Sequence, residues 1–592
     1  MKRQKHLKKL LMECFPYPKM RENQRKALEV IGKLQRSMIL ELPTGSGKTA
    51  IGYTVLKALQ KLGQNPLFYI APTKTIVEQV KRLHPEVQIV FGRNEYPCLY
   101  YKRKITAEEA PCSMLNCPHR VNQETGEAQE IGVEPCPYLL AKYQAKQGGI
   151  VVSTVAFYLF AQWFSKEWPQ PAGLIIDEAH RIAKIARNCL SYEITDYHLK
   201  KAIELLKGID LQSAQILNRF LKKMVKIAKL RSSLRPTLLE PWEVKELMNE
   251  LERLIADDTL ISKIQAAVRE GKINPEKEHE TLKKLEVIVR NLSRYWKSFQ
   301  FSLDTEKHHA LNYTYAFCEK AEKRKKVRYR LFIKNYYVVP IIQRILSPFT
   351  IAYSATIGDS EIFSFETGIK APFYSFNSEF PAKNTRIFLP TDTPNLAVKA
   401  RRKRDPIRAL RKVARSCKEF RKAGLRSLVV VVSEIERQKF LKFCQEEGVE
   451  AVSYSENNSA KEVVKKFIEG KGDLLVGTVA NYGEGIDLPG KIASVIFFLR
   501  PGYPKPTDPM TIFEERRFGS MRWKLWNWRV MIEALQVRGR NIRSAQDLGV
   551  TIFVSQQFRR FLPAILPEWL RNTYRGEQKL EKCIEETKKL FK

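Results

Sequence analysis

No stretch of this sequence holds the 18 or more consecutive apolar residues that a membrane-spanning helix needs. The basic opening MKRQKHLKKLLMECF also lacks the apolar core of a secretory signal. These absences set the expectation of an intracellular chain, cytoplasmic or nuclear, with no membrane partner. Internal repeats and low-complexity tracts are missing as well, which excludes repeat arrays. Acid is scarce relative to base: 64 Asp and Glu stand against 102 Lys and Arg, a formal net charge of +38. The excess is spread along the chain rather than held in a tail, so it points to a polyanionic partner, nucleic acid first. In a reducing compartment the ten cysteines are not a disulfide framework.

What is present is a chain of 592 residues, 44% of them apolar. That length suggests about four domains. Ser37-Met38-Ile39-Leu40-Glu41-Leu42 reads as a buried strand ended by Pro43. A Gly-rich turn follows, then helical spacing from Thr49 to about Leu62. Further strands are expected at Pro66–Ile70, Ile150–Val152 and Leu174–Ile176. Between them, residues 93–145 are rich in Pro, Cys and Tyr and show little periodicity. From about 195 to 345, amphipathic stretches such as Trp242–Ala256 and Thr281–Trp296 predict a mostly helical insertion. A short return at Thr350–Ile357 and a linker-like segment around Pro390–Pro394 lead to a second region. Its strands are expected at Ser427–Val432, Asp473–Gly477, Ala493–Leu499 and Val550–Val554. Alternating strand, loop and helix make the fold class α/β with parallel sheets.

The chemistry starts at Thr44-Gly45-Ser46-Gly47-Lys48-Thr49. Two glycines let the backbone wrap phosphates with its N–H groups pointing inward. Lys48 supplies positive charge for the β- and γ-phosphates of ATP, and the Thr49 hydroxyl can ligate Mg²⁺. Leu42 stands where the general pattern has its first Gly, a departure common in helicase-type loops. Downstream, Leu174-Ile175-Ile176-Asp177-Glu178-Ala179-His180 delivers two carboxylates at a strand end. Asp177 would hold Mg²⁺ through water, and Glu178 would orient and deprotonate the attacking water. Gln536-Val537-Arg538-Gly539-Arg540-Asn541-Ile542-Arg543 places Arg540 and Arg543 three apart on one helix face. Alone this is a solvated basic helix; after the other motifs it reads as a pair of arginine fingers.

Four cysteines, Cys98, Cys112, Cys117 and Cys136, fall within 39 residues, separated in turn by thirteen, four and eighteen. Prolines flank them. Four thiolates suit either a tetrahedral Zn²⁺ or a 4Fe-4S cluster, and spacing alone leaves both open. Cys14, Cys189, Cys318, Cys417, Cys444 and Cys583 are scattered and read as structural.

In this order the motifs resemble those of the XPD-type superfamily 2 DNA helicases, whose relatives include DinG. The likeness runs over residues 21–549. Arg21 and Gln24 resemble the Q-type nucleotide motif, Ala71-Pro72-Thr73 motif Ia, and Ser354-Ala355-Thr356 motif III. Gly483-Glu484-Gly485-Ile486-Asp487 resembles motif V, and Tyr503-Pro504-Lys505-Pro506-Thr507-Asp508-Pro509 the segment after it. Gln536, Gly539, Arg540 and Arg543 match motif VI, where Arg538 departs from the usual small or apolar residue. The resemblance implies two RecA-like motor domains and an ATP site on Gln24, the phosphate loop and Gln536. It implies a 4Fe-4S cluster on the four cysteines, since the family inserts one between motif Ia and the DEAH box. It divides the chain into motor domain 1 (1–92, 146–194 and 346–388), a cluster domain (93–145), an Arch-like insertion (195–345) and motor domain 2 (389–592).

The implied activity is ATP-dependent 5′→3′ translocation on single-stranded DNA with duplex unwinding, in DNA repair, by a monomer. Forked DNA and RNA–DNA hybrids are the implied substrates. A translocase that leaves strands paired would share every ATPase residue; the cysteine domain, as a wedge, argues for unwinding. Nucleic-acid contacts are expected from the basic segments Lys399–Arg426 and Lys320–Lys334. Tyr100, Tyr101, Phe157 and Tyr158 are the candidates for stacking on bases.

Overall fold

Each apolar run singled out as a strand forms one. The computed structural model describes residues 2–592 apart from 232–236, 256–258, 290–295, 297–313, 324–325, 398–403, 456–457, 483–487, 489, 540–541 and 543–544. The fold is α/β on parallel sheets, as in two RecA-like domains. The chain divides into two units, one of residues 1–51, 351–366 and 370–592, the other of 52–350 and 367–369.

In the first unit, strands Phe373–Ser375, Met38–Glu41 and Thr350–Ser354 pair in parallel, in that order. A second parallel sheet has seven strands, ordered Ala451–Val452, Leu474–Thr478, Ser427–Val431, Val495–Phe498, Gly549–Phe553, Thr385–Phe388 and Tyr574–Arg575. Helices cover it, and Val413, Phe420, Val429, Phe497 and Ile552 share its core. Continuous β-branched and aromatic runs such as Ser427–Val431 are buried along their whole length. Parallel strands flanked by helices require that.

In the second unit, strands Gln88–Val90, Ile150–Thr154, Leu67–Ala71 and Gly173–Asp177 lie parallel in that order. Helices Asp196–Lys207, Leu211–Arg231, Pro241–Ile255 and Leu260–Arg269 then build a core that includes Leu199, Phe220, Leu247 and Ile264. The expectation of a mostly helical insertion misses a sheet. Strands Tyr192–Thr195, Lys326–Asn335, Thr314–Lys323 and Thr237–Leu238 pair antiparallel in that order. Its signal is an alternation: Val327, Tyr329, Leu331 and Ile333 take every second position, with mostly basic residues between them. The density of charge hides that period, and the basic segment Lys320–Lys334 belongs to this hairpin rather than to a helix.

Candidate active site

Beyond strand Met38–Glu41 and Pro43, the chain turns on two glycines. Gly45 and Gly47 have φ of +85° and +73°, a region costly for any residue with a Cβ. Neither has room for one. A Cβ on Gly45 would lie 2.2 Å from Phe380 Cζ, and one on Gly47 2.2 Å from Gln24 Nε2. Ser46 closes the turn, its N and Oγ donating to Pro43 O at 3.2 and 2.7 Å. Lys48 Nζ donates to Leu42 O at 3.4 Å. Helix Lys48–Lys61 starts here, so its first N–H groups are available to an anion.

Gln24 and Arg21 both reach the loop. Arg21 N donates to Gln24 Oε1 at 2.9 Å, Gln24 Nε2 donates to Gly47 O at 3.4 Å, and the Arg21 guanidinium donates to Gly45 O. Motif VI arrives on helix Met521–Arg538, where Gln536 Nε2 donates to Thr356 Oγ1 of motif III at 3.0 Å. A Cβ on Gly539 would lie 3.8 Å from Thr44 Oγ1, so the end of this helix meets the phosphate loop. Arg540, Arg543 and Gly483–Asp487 lie outside the described residues.

Sequence reasoning passed over Glu41. It is buried at the end of its strand and accepts from Ile357 N at 2.8 Å, Gly358 N at 2.7 Å and Ser375 Oγ at 2.8 Å. Burial pushes its carboxyl above the usual range, against those hydrogen bonds. Trp528 Nε1 donates to Ile357 O at 2.8 Å. The loop after Ser354-Ala355-Thr356 is thus held by the phosphate-loop strand and by the motif VI helix. Phe380, packed on Gly45, was missed too; no local pattern marks it.

The two carboxylates belong to the other unit. Asp177 ends its strand; Oδ2 accepts from the Tyr69 hydroxyl at 2.8 Å and Oδ1 from Glu178 N at 2.8 Å. Glu178 takes φ +46° and ψ 50°, the left-handed region, at the turn into the next helix. His180 Nδ1 lies 3.5 Å from Glu178 Oε2.

The four cysteines are also in this unit. Residues 93–145 fold largely on arginines rather than on a large core. Arg93 Nη2 donates to Ala107 O at 2.7 Å, and Arg120 Nη2 to Cys112 O and Leu115 O, both at 3.0 Å. Cys136 acts on Cys98, Cys112 and Cys117, Cys98 on Cys112 and Cys117, and Cys112 on Cys117, so the four thiols share one neighbourhood. Burial raises Cys98 and Cys112, and pushes Cys117 up to about 11. Backbone N–H groups of Tyr100 and Tyr101 act on Cys98, that of His119 on Cys117, and the Arg93 charge on Cys112, all favouring thiolate. Among the described residues, no three His, Cys, Asp or Glu side chains stand close enough to hold a single metal ion.

The stacking candidates need correction. Phe157 and Tyr158 are core residues, and the Tyr158 hydroxyl donates to Ile345 O at 2.5 Å. Tyr101 is buried with its hydroxyl on Pro275 O at 3.0 Å; Tyr100 packs edge-on against it. Helix Arg404–Lys422 turns Val413, Cys417 and Phe420 inward, and Arg411, Arg415 and Lys412 meet Glu446, Glu447 and Glu581; residues 399–403 of the basic segment lie outside the described residues.

The sequence matches the model of a helicase C-terminal domain over residues 418–573, and that of the res subunit of type III restriction enzymes over residues 17–206. A relative named probable ATP-dependent helicase, from Methanocaldococcus jannaschii, is 24% identical, covering 95% of this chain and 96% of its own. A solved structure titled XPD helicase aligns with a TM-score of 0.57 at 17% identity, over 95% of this chain and 100% of its own. This chain has the fold of that structure. A second structure, S. tokodaii Xpd4, aligns with a TM-score of 0.55 at 14% identity, over 94% of this chain and 100% of its own. The two matched stretches hold the phosphate loop, Asp177–His180 and Gln536.

Proposed function

We propose that this chain is an ATP-dependent DNA helicase that moves 5′→3′ on single-stranded DNA, separates the duplex ahead, and serves DNA repair. The observation that carries this reading is the Gln536–Thr356 hydrogen bond beside a formed phosphate loop. It ties the helix of motif VI to the motif III loop, which Glu41 and Trp528 also hold. A change at the nucleotide is thereby coupled to the seven-stranded sheet. Lys48 and the loop N–H groups take the β- and γ-phosphates, Glu178 orients the attacking water, and Arg540 and Arg543 meet the developing charge. Thr49 and Asp177 would hold Mg²⁺, which neutralises phosphate charge when bound. In this reading residues 1–92, 146–194 and 346–388 form the first motor domain and 389–592 the second.

The 4Fe-4S reading of the four cysteines is supported by their thiols sharing one neighbourhood, with N–H groups acting on two of them. Cys98, Cys112, Cys117 and Cys136 would hold the cluster, which when bound cross-links four Pro-flanked loop segments. The braced 93–145 segment, with the 195–345 insertion, would frame the strand and divide the duplex.

ATP-driven strand displacement on 5′-tailed and 3′-tailed duplexes tests the proposal, with forked DNA and RNA–DNA hybrids as further substrates. No displacement from any of them would sink it; displacement from 3′ tails alone would reverse the polarity. Phosphate contacts should also make binding fall steeply with salt, by about 0.7 log units per phosphate contact for each tenfold rise in salt for single strands. An affinity that barely changes between low and moderate salt would contradict a basic track.

A further inference from the structure

A buried cation without an acid beside it is rare, because desolvation disfavours the charge. Arg538 is such a cation. It ends helix Met521–Arg538 and is 4% exposed. Nη2 donates to Thr385 Oγ1 at 2.8 Å, while Nε is buried with no hydrogen-bond partner among the described residues. The guanidinium carbon lies 5.8 Å from the Trp569 ring centroid, and the indole Nε1 is likewise buried without a partner. Of the other buried arginines, Arg437 is paired with Glu434, and Arg426, which has no ion-pair partner among the described residues, donates to three carbonyls, Phe467 O, Lys471 O and Gly472 O. With nothing to offset it, burial pushes Arg538 down to about 10. At that value it is still charged at neutral pH, and the carbonyl end of its helix favours the cation.

Arg538 and Trp569 both line a cavity of about 200 Å³, whose wall also holds Thr44 of the phosphate loop, Phe380 and Gly539. Asp547 is the one carboxylate on that wall, and it is not among the groups that act on Arg538. A cavity lined by a buried cation that no acid offsets suits a ligand that accepts hydrogen bonds and carries negative charge. Thr44 and Gly539 sit within van der Waals reach of each other, so the cavity adjoins the place where phosphates enter.

We propose that Arg538 and Trp569 form a seat for the terminal phosphoryl group of the nucleotide, in addition to the two arginines of motif VI. This rests on the nucleotide-site reading above. Arg538 stands where the family usually has a small or apolar residue, so the seat is a property of this chain. It distinguishes triphosphate from diphosphate: the γ-phosphoryl group fills the cavity, and its loss leaves Arg538 unmatched again.

The test titrates the full chain with ADP and with the β,γ-imido analogue of ATP, and follows thermal unfolding without nucleotide. Arg538→Met should weaken the analogue about 10- to 100-fold, the loss of a charge-assisted pair, and leave ADP within about twofold. The nucleotide-free variant should melt no lower than wild type, since an unmatched charge has been replaced by an apolar side chain of similar length. Arg538→Lys should recover part of the analogue affinity, and Trp569→Phe should lose a smaller share. Equal losses for ADP and analogue, or no loss, would overturn the seat; so would a nucleotide-free melt well below wild type, which marks a structural role. If Arg538→Met does not fold, Arg538→Lys must itself weaken the analogue more than ADP, or the seat falls. A wild-type chain that binds neither nucleotide overturns the nucleotide-site reading together with the seat.

Discussion

Lys48→Ala should lower single-strand-stimulated ATP hydrolysis by about 10²- to 10³-fold or more. The ammonium is the one charge that the phosphate loop itself carries, and the glycines at +85° and +73° shape the backbone around it. The fold should tolerate the change. Nζ makes a long hydrogen bond of 3.4 Å to Leu42 O, and Ala suits the first turn of helix Lys48–Lys61. Turnover at saturating ATP, with thermal unfolding as a control for folding, measures it. A folded Lys48→Ala chain that turns over near the wild-type rate would overturn the motor reading.

Cys112→Ser should spare ATP hydrolysis, to within about threefold, and abolish strand separation. A serine oxygen is a poor replacement for a thiolate at a cluster. The change falls in residues 93–145, whose hydrogen-bonded frame of Arg93 and Arg120 does not include the phosphate loop. Iron and sulfide content after anaerobic purification, ATPase and displacement of a 5′-tailed strand should be read on one preparation. Normal unwinding without iron would remove the cluster from the mechanism. Lost ATPase would show that the segment supports the motor rather than the division of the duplex.

Much of this was legible where chemistry is local. Buried parallel strands are continuous apolar runs, so Ser427–Val431 and Gly173–Asp177 announce themselves. The phosphate loop is a short contiguous pattern, and its contact with Gln24 follows from residues close in the chain. Glu41 was not legible, because its three partners, Ile357, Gly358 and Ser375, lie more than three hundred residues away. A glutamate in an apolar strand gives no hint of which distant N–H groups it will meet. Phe157 and Tyr158 misled for the complementary reason: an aromatic ring in sequence carries no mark of the face it will occupy. The shared neighbourhood of Cys112 and its three companions follows a spacing visible in sequence; the arginines that brace their loops were not legible, since carbonyl partners leave no trace in residue type.

Glu178 carries a further consequence. Its backbone occupies the left-handed region, where a side chain with a Cβ costs about 1–2 kcal/mol relative to glycine. On the role proposed for Glu178, durability and turnover favour different residues at that position. A lineage under pressure only to persist at high temperature would drift toward glycine or asparagine there and fall silent as an engine.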